Sequence, residues 1–130
     1  VLAEQLAPWQ SRASQLCIIA FDRTAAREAK KAMPWIPVYR LSSEQTKTKM
    51  PVNLSALIRD TVEDGLDGLD LSRKWNWTPE LIAEIRNAGL KIFVWTVNDP
   101  DEARLLARLG VDGITTDDPA LIQQALGANP

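Results

Sequence analysis

The chain has 130 residues, 45% hydrophobic and 25% charged, with a net charge of −2. That length suffices for one compact domain with a core, and the charge balance excludes the basic face that nucleic acid or an anionic membrane surface requires. There is no histidine and one cysteine, which excludes an internal disulfide, Ser-His and Cys-His catalysis, and histidine metal ligation.

Val1 to about Trp9 reads as a helix, and Leu16 to Phe21 as a strand. Cys17 lies inside that apolar run and reads as a small buried hydrophobe. A nucleophile reading lacks a base. Thr24 to about Met33 is helical, with Arg27, Lys30 and Lys31 on its wet side. Pro37 to Leu41 reads as a short strand. The polar stretch Ser42 to Pro51 reads as an extended surface loop, with a phosphate contact from Lys47 and Lys49 as the alternative. Asn53 caps a helix from Leu54 to Val62, and Leu66 to Leu71 is a strand.

The last three rounds repeat one grammar. Thr78-Pro79-Glu80 opens a helix with an N-cap and a proline at its first position. Leu81, Ile82, Ile85 and Ala88 give it an apolar stripe, and Gly89 ends it as a left-handed cap. Lys91 to Val97 is then a near-continuous β-branched and aromatic run, as a strand buried on both faces requires. Asp99-Pro100-Asp101-Glu102 is an N-cap, a proline and a capping-box glutamate. Ala103, Leu105, Leu106 and Leu109 follow, and Gly110 stops the helix. The strand Val111 to Thr116 leads to Asp118-Pro119 and a last helix closed by Gly127. No segment reaches the roughly 20 apolar residues of a membrane span. No signal peptide is visible, and the absence of an initial methionine is compatible with a processed product or a fragment.

Five strands alternating with six helices imply a parallel α/β sheet with right-handed crossovers. An open doubly wound sheet and a part of a (β/α)8 TIM barrel both fit. No G-x-G-x-x-G or P-loop pattern occurs, which weakens a nucleotide-binding open sheet.

Three pieces favour the barrel. They are Val94-Trp95-Thr96-Val97-Asn98, Leu109-Gly110-Val111-Asp112-Gly113-Ile114, and Thr115-Thr116-Asp117-Asp118-Pro119. In this order and spacing they resemble the last two strands of the glycerophosphodiester phosphodiesterase family. Ile19-Ala20-Phe21-Asp22 is similar to that family's fourth-strand end, with alanine where the family usually has serine. The resemblance implies that residues 1–130 are the C-terminal portion of one barrel domain, strands four to eight. It implies a hydrolase that splits glycerophosphodiesters into glycerol 3-phosphate and an alcohol. It further implies a divalent metal (Mg or Ca) in the complete enzyme, and none bound by this chain alone.

The family's His-Arg-Gly segment, its paired metal carboxylates and its second histidine belong to the first three strands and have no counterpart here. The expectation is therefore no catalytic residue and no metal ligand in this chain. Phe21, Trp95 and Asn98 are the expected substrate wall. Trp95 has core filling as its alternative, and Asn98 has loop fixing. Arg40, Ser72, Thr116 and Asp117 fall near the same mouth, because barrel sites form at the C-terminal strand ends. Asp117 and Asp118 look like a carboxylate pair, but Asp118 already serves as an N-cap. Asp67 and Asp70, three apart on a strand, point to opposite faces and cannot readily share a metal. Arg73, Lys74, Trp75 and Trp77 form a basic-aromatic cluster suited either to an anionic headgroup or to packing over the loop.

The expected partners are the glycerophosphodiester substrate and either the missing N-terminal half of the barrel or a second copy. No nucleic acid and no membrane span are expected. The lack of disulfides points to the cytoplasm, with export left open. The competing reading is a catalytically silent half-barrel that pairs through its open sheet edges, since unpaired strands invite another chain.

Overall fold

The computed structural model of the chain describes residues 1–127. It holds α1 (Leu2–Leu6), β1 (Ile18–Ala20), α2 (Arg23–Ala32), β2 (Val38–Ser42), α3 (Leu54–Glu63) and β3 (Gly68–Ser72). Then follow α4 (Pro79–Asn87), β4 (Lys91–Trp95), α5 (Pro100–Leu109), β5 (Gly113–Ile114) and α6 (Pro119–Ala125). A 3-10 segment, Ala7–Gln15, stands where the first helix was expected to continue. Pro8 enters there without an N–H to donate, and its ring opposes a further α turn.

Local capping chemistry decides where the helices begin. The side chains of Asp22, Asn53, Thr78, Asp99 and Asp118 each accept a backbone N–H two or three residues on, at 2.7–3.2 Å. Asp22 was not foreseen in that role. Prolines 79, 100 and 119 occupy the first helical position. Gly89, Gly110 and Gly127 stop the helices with φ of 79°, 96° and 68°. Glu102 does not close a capping box. Its carboxylate pairs instead with Arg73 Nε, 3.1 Å away.

The five strands form one parallel sheet in the order β1-β2-β3-β4-β5. This order separates the two candidate architectures. Right-handed crossovers that always step to the next strand place every helix on the same face, and the sheet must curl. A doubly wound sheet reverses its strand order part-way across. The chain is thus an α/β fold of singly wound, part-barrel form.

The helix-side core follows from strand alternation. Leu69 and Leu71 of β3 and Ile92 of β4 pack with Leu57, Ile58, Leu81, Ile82 and Ile85 of α3 and α4. Val94 packs with Ala103, Leu106 and Ile122, and Val38 with Ala26, Met33 and Leu66. Full burial of each of the leucine, isoleucine, valine and methionine side chains contributes about 1.5–3 kcal/mol.

The intervening residues face the other way, into what would be the barrel lumen. There Tyr39 and Phe93 pack with ring centroids 4.5 Å apart. Ile19 and Phe21 remain 51% and 57% exposed. Cys17 is also exposed, contrary to the expectation of burial. It lies on the uncovered face of β1, so an apolar neighbourhood in sequence does not become an apolar neighbourhood in space. Burial, and after it the charge of Asp70, still raise its thiol pKa.

Candidate functional site

The C-terminal ends of the strands gather most of the expected site residues. Phe21 follows β1 directly, and its backbone carbonyl accepts Arg40 Nε at 2.8 Å. Trp95 ends β4. Its ring meets Phe21 edge to face, centroids 5.7 Å apart at 84°. Such pairs contribute about 0.5–1.5 kcal/mol beyond area burial. Trp95 Nε1 donates to the carbonyl of Asp70 at 3.0 Å, which ties the indole to β3. The Trp95–Thr96 peptide is cis. Two residues that lie 74 positions apart in the chain thus form one aromatic wall at the mouth.

Asn98 holds the loop. Its Oδ1 accepts Thr116 Oγ1 at 3.0 Å and the Asp117 N–H at 2.9 Å, while Nδ2 donates to Asp117 Oδ2 at 2.8 Å. The β4–α5 and β5–α6 loops are clamped by this one amide. Asn98 also lines a polar cleft of about 440 Å³ with Arg73, Thr96, Asp99 and Glu102. A second cleft of about 480 Å³ opens beside Phe21, between Arg40, Leu41, Ser42, Lys47 and Val52. Its outer wall is the Ser42–Pro51 stretch. That stretch is folded back on itself by a Gln45–Pro51 bridge and a 2.9 Å bond from the Thr46 N–H to the Met50 carbonyl, so it is more ordered than an extended loop.

The basic-aromatic cluster packs. Trp75 Nε1 donates to the Ser42 carbonyl at 3.3 Å and Trp77 Nε1 to the Arg73 carbonyl at 3.2 Å. Both rings lie against the helix-side core. Asp118 is engaged as an N-cap, and Asp117 by Asn98. Asp67 binds Lys30 Nζ and the Val38 N–H, each at 2.8 Å, and Asp70 stands alone in the lumen. Among the described residues no group of three or more His, Cys, Asp or Glu side chains could hold a metal ion. The described residues therefore do not by themselves form a three-ligand divalent-metal site. Ser72, another expected mouth residue, is buried and accepts the Lys74 N–H at 3.1 Å.

Asp70 is the group that sequence reasoning missed as a site residue. Burial pushes its carboxyl up to about 6. An aspartate within the otherwise apolar run Gly68–Leu71 was the available signal.

Comparison with known proteins places these features in a family. Residues 1–121 match the sequence profile of the Glycerophosphoryl diester phosphodiesterase family. A glycerophosphodiester phosphodiesterase of Caldanaerobacter subterraneus is 42% identical over 45 residues, 35% of this chain and 18% of that protein. Among solved structures, a glycerophosphodiester phosphodiesterase from Parabacteroides distasonis superposes with a TM-score of 0.75 and 27% identity, covering 98% of this chain and 49% of the other. An Oleispira antarctica phosphodiesterase, solved in complex with the product sn-glycerol-3-phosphate, aligns with a TM-score of 0.70 and 24% identity, over 84% of this chain and 40% of that one. That last likeness is one of fold. This chain spans about half or less of the length of each of these relatives.

Proposed function

The chain belongs to the glycerophosphoryl diester phosphodiesterase family, and on that premise we propose that it is the C-terminal portion, strands four to eight, of a barrel enzyme that hydrolyses glycerophosphodiesters. In that reaction water adds to phosphorus and the bond to the alcohol oxygen breaks. Glycerol 3-phosphate and a free alcohol leave. The observation that carries the reading is the Phe21–Trp95 wall at the C-terminal strand ends, where barrel enzymes bind their substrates.

In this reading Phe21 and Trp95 take the apolar edge of the glycerol moiety, and Asn98 sets the loop that borders it. Its remaining N–H is available to a substrate oxygen. The family generally employs a divalent metal, which lowers the cost of charge developing on the phosphoryl oxygens. No cluster of three or more such ligands occurs among the described residues, and in this reading the metal ligands and acid-base groups come from the remaining strands of the barrel. No described helix is long and apolar enough to cross a membrane, and cytoplasmic residence is part of the proposal.

A second reading has one observation in its favour. The lumen face exposes Phe21 and Ile19, and β1 and β5 are edge strands. A catalytically silent half-barrel that pairs with a second copy would cover both. Native mass spectrometry of the purified material, with a hydrolysis assay on glycerophosphodiesters with and without added Mg or Ca, separates the two. A longer polypeptide or companion carrying the remaining strands, with chelator-sensitive turnover, supports the enzyme. Whole multiples of 14.5 kDa without turnover support the silent module.

A further inference from the structure

Asp70 sits mid-strand in β3, in register with Leu41 of β2 and Phe93 of β4. Its neighbours along the strand, Leu69 and Leu71, belong to the helix-side core, so its side chain is on the lumen face. The residue is 4% exposed. Its Oδ1 is buried beneath this chain's own atoms with no hydrogen-bond partner among the described residues, and Oδ2, which is not so buried, has none among them either. At the mouth side, Trp95 Nε1 donates to the backbone carbonyl of Asp70 and not to its carboxyl. The other titratable groups on this face are Cys17, Tyr39 and Lys91. Cys17 and Tyr39 carry protons at neutral pH, their pKa values raised by burial first.

A buried carboxylate oxygen without a donor is destabilising, and strands rarely retain one without a compensating partner elsewhere. In a barrel, each interior layer is built by side chains from strands around the whole circumference. This chain supplies five strands, and solved relatives that cover 98% of it are about twice as long, with this chain spanning 49% and 51% of two of them. The facing part of the Asp70 layer therefore lies on strands that residues 1–130 do not include.

We infer that the Asp70 carboxyl accepts a cationic or N–H/O–H donor side chain carried by those remaining barrel strands, and so sets the register in which the two parts of the barrel close. The inference rests on the part-barrel reading above but not on catalysis. One acceptor aimed into an apolar layer rewards a single placement of its donor. A slip of the facing strand by one residue would turn that donor to the helix side.

The test uses the full polypeptide that carries this chain. Carbon-detected NMR titration of the Asp70 carboxyl should give a midpoint at or below the ordinary aspartate value of about 4, and Asp70→Leu should lower the melting temperature by several degrees. A midpoint that stays near 6, or a Leu variant as stable as the parent, overturns the inference. If Asp70→Leu does not fold, titration of the parent protein decides alone. Turnover of the same preparation is read separately. A low midpoint without turnover leaves the inference standing and removes the phosphodiesterase reading. Turnover with a midpoint near 6 does the reverse.

Discussion

Asp67 and Asp112 make the same stitch at two places in the sheet. Oδ2 of each accepts the backbone N–H of the strand before it, Val38 for Asp67 and Ile92 for Asp112, both at 2.8 Å. The same oxygen takes a cation from the helix leading into that strand, Lys30 at 2.8 Å and Arg86 at 2.6 Å. Each aspartate sits in a repeated phrase, Gly65-Leu66-Asp67-Gly68 and Gly110-Val111-Asp112-Gly113. The stitch satisfies the first amide of β2 and the second residue's amide of β4, and fixes the helix that delivers each strand.

Replacing Asp112 with alanine should therefore cost about 2 kcal/mol, chiefly from the orphaned Ile92 amide, since Arg86 keeps its bond to the Gly110 carbonyl. Burial pushes the Asp112 carboxyl up, but the Arg86 and Ile92 hydrogen bonds and the Arg86 and Lys91 charges bring it below its ordinary value. A depressed folded value stabilises above the unfolded pKa of about 4 and is lost as pH falls through the lower folded one. Urea titrations at pH 7 and pH 3 check this. The alanine penalty should shrink at the acid end.

Asp70 should act with the opposite sign in residues 1–130. Its folded value of about 6 exceeds the unfolded one, so the folded state holds the extra proton between about pH 4 and pH 6. Its contribution falls across that window by on the order of 3 kcal/mol. Asp70→Asn should flatten the stability profile above pH 4 and raise stability at pH 7. Thermal melts across pH 4–8 measure both effects.

The Phe21–Trp95 wall predicts a kinetic effect. In the intact enzyme Trp95→Ala should raise KM or lower kcat by about tenfold, equivalent to losing roughly 1.4 kcal/mol of substrate contact. Phe21→Leu, which keeps bulk but removes the edge-to-face contact, should have a smaller effect in the same direction. Steady-state kinetics on a glycerophosphodiester tests the pair, and unchanged constants in both variants would sink the pocket role.

Asn98 predicts a coupling. Asn98→Ala removes the whole clamp between the β4–α5 and β5–α6 loops, and Asp117→Ala removes its Nδ2–Oδ2 bond while the backbone N–H bond stays. Their combined cost should fall short of the sum of the single costs by about 0.5–1 kcal/mol. A double-mutant cycle by chemical denaturation reads this directly. Strict additivity would mean that the two loops are held by other contacts.

Gly68 predicts a packing limit. A Cβ built there would run into the Lys91 carbonyl oxygen of the next strand. Backbone cannot yield as a side chain can, so Gly68→Ala should cost about 2 kcal/mol or more. At Gly113 an added Cβ meets the Phe93 ring at 2.7 Å, and there a ring rotation can absorb part of the strain. Comparing the two alanine variants by urea midpoint tests that difference.

Helix starts and stops were legible from the chain because capping is local. Asn53, Thr78, Asp99 and Asp118 bind amides two or three residues on, and the left-handed turns at Gly89, Gly110 and Gly127 need only a missing Cβ. The family was legible too, through the Trp95-to-Pro119 pieces in their spacing. The exposure of Cys17, the Arg73–Glu102 pair and the solitary burial of Asp70 were not. They depend on residues far along the chain: Arg73 and Glu102 lie 29 apart, and Trp95, which binds the Asp70 carbonyl, lies 25 from it. Alternation along one strand says that two faces exist. Only the closed run of crossovers decides which face the helices cover and which is left to the lumen.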